Sequence, residues 1–411
     1  MRPKRAAAVR ASACLLEALV EEGDEKACPF LTVSEAAALV FLEQKSPEES
    51  ILVVSGSGIS VASGLSTFQS TLEKDGKRAT GGRATGGLYE RARKRFKLKE
   101  GMELFHWKFY AERPYDALQF LGEMCEQAKR CVPTRTHVAL KALEDSGKMV
   151  RHYTMNIDGL HAKAGMSTWR NDDDDGKTVE LHGTLFDLVD TETGRVYDVD
   201  DEALAKIKRK KPAFSTENNS RQAKRTIDLE DDNQDDDDEN QEANEARRIR
   251  FRVMFYGDAE HACILDAKKT LARLRDDAKQ ANIVLWLGIS FQQYASCDYL
   301  RRVTDAAKPQ TLHLILNPSP DAAYHARASL GDNKNNVDLR ACYATSDELF
   351  DAIDQLQQQE KITQLNTTTF LTEDNPTIFA PKAQDDHDII YSPSTKRKQQ
   401  QTTTPGQQEA P

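Results

Sequence analysis

Three absences narrow what this 411-residue sequence can be. No stretch approaches the ~18 consecutive apolar residues of a membrane-spanning helix, which excludes a helical span and a membrane partner. The seven cysteines, at positions 14, 28, 125, 131, 263, 297 and 342, include no C-x-x-C pair. Scattered thiols without a secretory signal make a disulfide framework a poor fit, and reduced cysteines in an intracellular chain fit best. A complete G-x-G-x-x-G with an acid about 20 residues later is also missing, which argues against an ordinary nicotinamide dehydrogenase.

Charge, by contrast, is plentiful. Charged residues make up 30% of the chain, hydrophobic residues 39%, and the formal net charge is −10. Much of the negative charge lies in two aspartate runs, NDDDD (171–175) and DLEDDNQDDDDENQEANEA (228–246), so it describes inserts more than a folded face. The acidic balance argues against direct nucleic-acid binding. KRKKP (208–212) and TKRK (395–398) resemble nuclear import signals, which a receptor reads in extended segments. The first residues, MRPKRAAAVRASACLLEALV, are Arg-rich and free of acids until Glu17. They read as a tail (1–33) with a weak transit-peptide character, so a nuclear or cytoplasmic address has a mitochondrial alternative.

The ordered part alternates strand-like and helix-like segments. SEAAALVFLEQK (34–45) has a Ser N-cap, an acid in its first turn and helical apolar spacing. ILVVSGSGIS (51–60) is a β-branched run that stops at a Gly-Ser turn and gives way to helix-compatible sequence. The duplicated RATGGRATGG (78–87) reads as a loop. PTRTHVALKALEDSGK (133–148) is a helix closed by Gly147, and VRHYTMNIDGL (150–160) is a strand ending in a polar turn. VELHGTL (179–185), NIVLWLGIS (282–290) and TLHLILNPSP (311–320) are read as further strands, and DELFDAIDQLQ (347–357) as a closing helix. Residues of about 190–248 carry too much charge to bury apolar area, and 362–411 is a Gln-, Thr- and Pro-rich tail, so both are expected to be disordered. The order of elements implies an α/β fold, a doubly wound Rossmann-like parallel sheet, with a smaller helical module of about 88–130 and 184–258. The larger part then takes about 34–87, 131–183 and 259–355.

Such sheets bind ligands at the carboxyl ends of their strands. Gly56 to Ser60, Asn156 to Asp158, His182, Gly288 to Ser290 and Asn317 fall there. Small residues at a strand–helix turn let backbone N–H groups approach a phosphate, although such turns are often structural. An amide and a carboxylate two residues apart, Asn156 and Asp158, can jointly hold a carboxamide, or simply form an Asx turn. A histidine at a strand end, His182, can act as a general base near neutral pH, or be a satisfied structural side chain. His137 and His161 read as structural.

Taken together and in order, these segments resemble the sirtuin family. GSGISVASGLSTFQS (56–70) resembles its glycine-rich signature, YTMNIDGLHAKAG its Thr-Gln-Asn-Ile-Asp-Gly-Leu-His segment, and VELHGTL its catalytic histidine strand. VMFYGD (253–258) resembles its peptide-pairing strand, LWLGIS its Gly-Thr-Ser motif, LILNPSP its ribose-binding asparagine, and ATSDELF (344–350) its adenine-proximal turn. The resemblance covers roughly 35–355 without the acidic insert. It implies an NAD-dependent protein-lysine deacylase that transfers the acyl group to ADP-ribose and releases nicotinamide. His182, Asn156 and Asp158 would be catalytic. Gly56, Ser57, Gly58, Phe68, Gln69, Met155, Asn156, Ile157, Asp158, Gly288, Ser290, Asn317 and Ser346 would meet NAD. Val253, Met254, Phe255, Tyr256 and Gly257 would bind an acyl-lysine protein or peptide, histone tails among the candidates, as an added strand. The alternatives are a catalytically weak NAD- or ADP-ribose-binding module and an NAD-consuming transferase or hydrolase.

The sequence departs from the family at several of these positions. Ser66-Thr67 replaces its Pro-Asp, Gln69 its arginine, Met155 its glutamine and Ile289 its threonine. Arg78 or Arg83 is a candidate to replace the missing arginine. Most sirtuins carry two C-x-x-C pairs between the histidine strand and the peptide-pairing strand. Residues 183–262 contain no cysteine, so no structural zinc is expected.

Overall fold

The computed structural model describes residues 28–66, 87–169, 175–210, 248–258, 261–331 and 336–373. Nine strands are present among them: β1 (Ile51–Ser55), β2 (Met149–Thr154), β3 (Thr178–Glu180), β4 (Gly183–Asp190), β5 (Val196–Asp198), β6 (Ile249–Val253), β7 (Ile283–Leu287), β8 (Leu312–Leu316) and β9 (Asp338–Cys342). Six of them form one sheet in the order β3-β2-β1-β7-β8-β9, every pair parallel. The order reverses between β1 and β7, which creates the crevice where doubly wound sheets take ligands.

Alternation along these strands supplies both faces of the sheet. Leu52, Val54, Tyr153 and Trp286 pack on one side, with apolar residues of α8 (Ala267–Gln280), α9 (Tyr294–Ala306) and α10 (Pro320–Ser329). Ile51, Val53 and Leu285 pack on the other, against α1 (Val33–Gln44), α5 (Arg135–Asp145) and α11 (Ser346–Glu373). A strand buried on both faces reads as a continuous apolar run, which is how β1, β7 and β8 look in the sequence.

The remaining strands form a three-stranded sheet, β5-β4-β6, paired antiparallel. It packs on α2 (Leu88–Phe96), α3 (Trp107–Glu112), α4 (Pro114–Arg130) and α7 (Asp201–Lys208) around Phe120, Leu121, Leu188 and Phe251. The smaller module is therefore helices plus a sheet, where the sequence pointed to helices.

Several boundaries also move. VELHGTL is not one strand: its first half ends β3 in the large sheet and its second half starts β4 in the small one. Gly183 makes the change of direction, with φ +77° and an ideal Cβ that would stand 1.9 Å from the Arg252 carbonyl oxygen. Only glycine fits both conditions. The helix expected to be capped by Ser34 is capped two residues earlier, by Thr32 in a reciprocal capping box with Glu35. Pro29 and Leu31 hydrogen-bond Ala341, so the end of the expected N-terminal tail covers the free edge of β9.

The stretch from 190 to 210 is ordered rather than disordered. Asp190 accepts the N–H groups of Glu192 and Thr193 to close the β4–β5 turn, and Leu204 and Ile207 bury the inner side of α7. Their helical spacing is masked in the sequence by the surrounding charge. α11 likewise continues to Glu373, past the expected start of the tail. The chain divides at Glu360 into two compact units, and of the second, Lys361–Pro411, the described part is these last helical turns.

Candidate functional site

The chain leaves β2 still extended, and residues 181–185 run beside it. Leu181 N–H donates to the Thr154 carbonyl at 2.9 Å, and Leu185 N–H donates to the Ile157 carbonyl at 2.9 Å. Between these two bonds the His182 ring turns inward, its Nδ1–H donating to the Met155 carbonyl at 3.1 Å. That bond fixes the tautomer and leaves Nε2 as an acceptor. The ring is half-buried and lies against Tyr299, with centroids 6.3 Å apart. Burial pushes the imidazole pKa down to about 4, with the Met155 bond opposing it, so the ring is neutral and able to accept a proton at pH 7.

Asn156 and Asp158 project from the same segment toward the turn after β1. The Asn156 amide donates to the Gly56 carbonyl at 3.1 Å and to Ser60 Oγ at 3.3 Å. Ser60 Oγ in turn donates to Asp158 Oδ2 at 2.6 Å, and Asp158 Oδ1 accepts the Leu160 N–H. An amide, a carboxylate and a hydroxyl thus form one hydrogen-bonded group. These side chains, with Ser57, Leu65, Ile157, Leu88, Met124 and Leu185, line a cleft between the large sheet and the smaller module.

Next to Ser57, two turns cross. Gly58 N–H donates to the Gly288 carbonyl at 3.0 Å, and a Cβ on Gly58 would stand 2.6 Å from Gly288 Cα. Gly288 has φ +63°, so a side chain there is excluded by conformation as well as by space. The turns of β1 and β7 therefore touch backbone to backbone at the switch point.

A family model described as the Sir2 family matches residues 56–295. This chain belongs to the Sir2 family. Among curated relatives, the Sir2-family chain is 32% identical over 149 residues to the NAD-dependent protein deacetylase sir-2.1 of Caenorhabditis elegans, covering 36% of this chain and 20% of that protein. It is 29% identical over 149 residues to the NAD-dependent protein deacetylase of Bacillus subtilis, covering 36% and 49%. The aligned part is thus a fifth to a half of these relatives' length. A crystal structure of a Sir2 homologue–NAD complex aligns at 15% identity over 78% of this chain and 94% of its own, with a TM-score of 0.48.

Within this Sir2-family fold the expected site residues separate into groups. His182, Asn156, Asp158, Gly56, Ser57, Gly58 and Gly288 gather at the switch point, and exposed Ser290 follows Gly288 on the same turn. Ile157 lines the cleft and also packs into the core of the smaller module. The Met155 side chain belongs to the core of the large sheet, so only its carbonyl takes part. Asn317 bridges two loops, donating to the Ile289 carbonyl and accepting from Ser319 N–H. Ser346 is buried and bonded to Thr136 Oγ1 at 2.7 Å in the first turn of α5. Phe68 and Gln69, with Arg78 and Arg83, lie outside the described residues.

The expected peptide-binding run splits by parity. Val253 and Phe255 face the core of the smaller module, Phe255 stacking on Tyr110 at 5.0 Å, while Met254, Tyr256 and Gly257 remain accessible. The Tyr256 N–H and carbonyl pair with Phe105 and Trp107, and the Phe255 N–H bonds Asp258. Arg250, fully buried, holds this turn. It pairs with Asp258 at 2.8 Å and lies over the rings of Trp107, Tyr110 and Phe255.

Ser60 was placed at the strand end without a role of its own, and Tyr299 was not expected at all. Ser60 stood in the same glycine-rich run as Gly56, and only the fold shows its hydroxyl bridging Asn156 and Asp158. Tyr299 carried no local signal, since nothing in α9 marks which residue faces His182. Lys208 and Lys210 of the basic run 208–212 are ion-paired with Glu126 and Asp116, so this part of the run is structural rather than extended.

Proposed function

We propose that this chain is an NAD-dependent protein-lysine deacylase, with acyl-lysine proteins or peptides, histone tails among them, as substrates. The observation that carries the reading is the neutral His182 imidazole, oriented by the carbonyl of Met155, the residue immediately before Asn156 of the Asn156–Ser60–Asp158 group. NAD suits the donor set of the cleft. Asn156 commits its amide hydrogens to Gly56 and Ser60, so its Oδ1, with the second lone pairs of the Asp158 oxygens, can accept the N–H groups of a carboxamide. Ile157, Leu88 and Leu185 offer apolar surface for a flat ring. The glycine crossing at residues 56–58 and 288 allows a phosphate to approach the backbone. When bound, NAD supplies an activated ribosyl carbon with nicotinamide as leaving group and accepts the acyl group.

The chain's own residues do the rest. His182 Nε2 takes a proton from a ribose hydroxyl, and the Nδ1 bond to Met155 stabilises the imidazolium that forms. Asn156 and Asp158 orient the carboxamide. Met254 and Tyr256 offer accessible surface to an acyl-lysine peptide. We further propose that the smaller module stands without zinc and that the protein acts in the nucleus or cytoplasm. Among the described residues no helix is long and apolar enough to cross a membrane.

Nicotinamide release, measured with and without an acyl-lysine peptide, tests the reading. Release that requires peptide, accompanied by acyl transfer that His182→Ala lowers steeply, is the expected result. Release without peptide would make it a hydrolase or transferase, and none would make it a binding module.

A further inference from the structure

The segment that carries His182 is where the chain passes from one sheet to the other, and its ladder to β6 is interrupted. β4 pairs with β6 at Gly183↔Val253 and again at Leu188↔Phe251, with a break of register between them. Within that gap one side chain ties the segment together. Arg252 of β6 donates through a terminal guanidinium nitrogen to Glu180 Oε2 at 2.9 Å and places Nε 3.0 Å from Asp187 Oδ2. Glu180 ends β3 in the large sheet, and Asp187 lies in β4 of the small one. The side chains of all three are largely buried, Arg252 being 13% exposed, Glu180 7% and Asp187 6%. The second Glu180 oxygen faces His161 Nε2 at 3.3 Å. Along the chain His182 therefore lies between two carboxylates that pair with a single guanidinium, and its carbonyl accepts the N–H of Met254, two residues after that arginine.

We propose that Arg252 is a positioning residue for the His182 imidazole. Its guanidinium spans the break in the ladder and fixes both ends of the crossing, so the Nδ1–H bond to Met155 keeps its geometry and Nε2 keeps its aim. A planar bidentate cation suits this task, and a lysine's point charge reproduces it only in part. Burial makes the grip consequential, because removing the cation leaves two carboxylates in a water-poor interior.

The proposal rests on the deacylase reading for its kinetic arm, while a second arm is independent of it. In the full chain, Arg252→Gln is expected to lower kcat for deacylation by up to about 100-fold, the effect of misplacing a reacting group by about 1 Å, with KM for NAD little changed. Arg252→Lys is expected to recover part of the loss. On the NAD-free protein labelled with 15N-histidine, the His182 Nδ1–H resonance should shift and exchange faster with solvent in Arg252→Gln. Glu180→Gln, which keeps the shape and removes one charge, should show a smaller change of the same kind and serves if Arg252→Gln does not fold. An unchanged His182 resonance overturns the proposal, as does an unchanged kcat in an active enzyme. A wild-type chain without peptide-dependent nicotinamide release overturns the deacylase reading instead, and the resonance arm still decides the role of Arg252.

Discussion

The large sheet and the smaller module solve the same problem, burying apolar surface around a cleft, by different means. In the large sheet, six parallel strands bury both faces, and its buried ion pair, Arg151–Asp277, joins α8 to β2. The smaller module has a three-stranded sheet, short helices and charged clamps: Arg250 on Asp258, Arg252 on Glu180 and Asp187, Arg248 on Asp190 and Glu192. A region with less apolar area to bury relies more on paired charge for a defined shape. His182 stands on the boundary, supported by the large sheet through Met155 and by the smaller module through Met254.

The sharpest way to break this comparison is at the boundary itself. His182→Ala should lower the acyl-transfer rate about 10²–10⁴-fold, the usual worth of a general base, in a steady-state assay with an acyl-lysine peptide. In the wild type, burial holds the imidazole near pKa 4, so the acid limb of kcat/KM should fall near pH 4 rather than near the ordinary histidine value. A limb near pH 6.5 would mean that the ring is better solvated than its surroundings indicate.

Packing mutants separate the two regions next. Trp286→Ala in the large sheet and Phe251→Ala in the smaller module each remove a fully buried aromatic and should cost about 3–5 kcal/mol. Their calorimetric traces should differ. Trp286→Ala should lower one main transition, whereas Phe251→Ala should split off an early one from the smaller module. A single shared transition in both would show that the regions melt as one.

Arg248→Met should have a smaller effect, on the order of 1 kcal/mol, because about a third of the guanidinium is in water. Its pH dependence is the more telling part. Burial alone would raise the Asp190 carboxyl, but Arg248 and the N–H groups of Thr193 and Glu192 outweigh it and bring the pKa down to about 2. A carboxyl depressed in the folded state contributes stability above its unfolded pKa of about 3.9 and loses it as pH falls toward 2. Arg248→Met should therefore narrow the stability difference between pH 5 and pH 2, as read by thermal melts. The smallest expected effect is none at all: a zinc chelator should leave the melting temperature of the smaller module where it was. Among the described residues no cluster of three or more His, Cys, Asp or Glu could hold a metal.

The doubly wound architecture and the carboxyl ends of β1, β2, β7 and β8 could be read from the letters alone. A strand buried on both faces must be apolar throughout, and a turn that lets two backbones touch must be glycine, so β1, β7, β8, Gly58 and Gly288 were legible as letters. The sequence also marked Asn156, Asp158 and His182, because polar residues at strand ends stand out against apolar runs. It took the folded chain to show that Met155 offers its carbonyl, that Ser60 joins the amide to the carboxylate, and that VELHGTL changes sheets at Gly183. Those outcomes depend on which group of a residue faces which neighbour from a distant part of the chain. The ordered hairpin and α7 at 190–210 escaped for a related reason: in a small module, few residues face inward, and charge on the outward side hides their spacing.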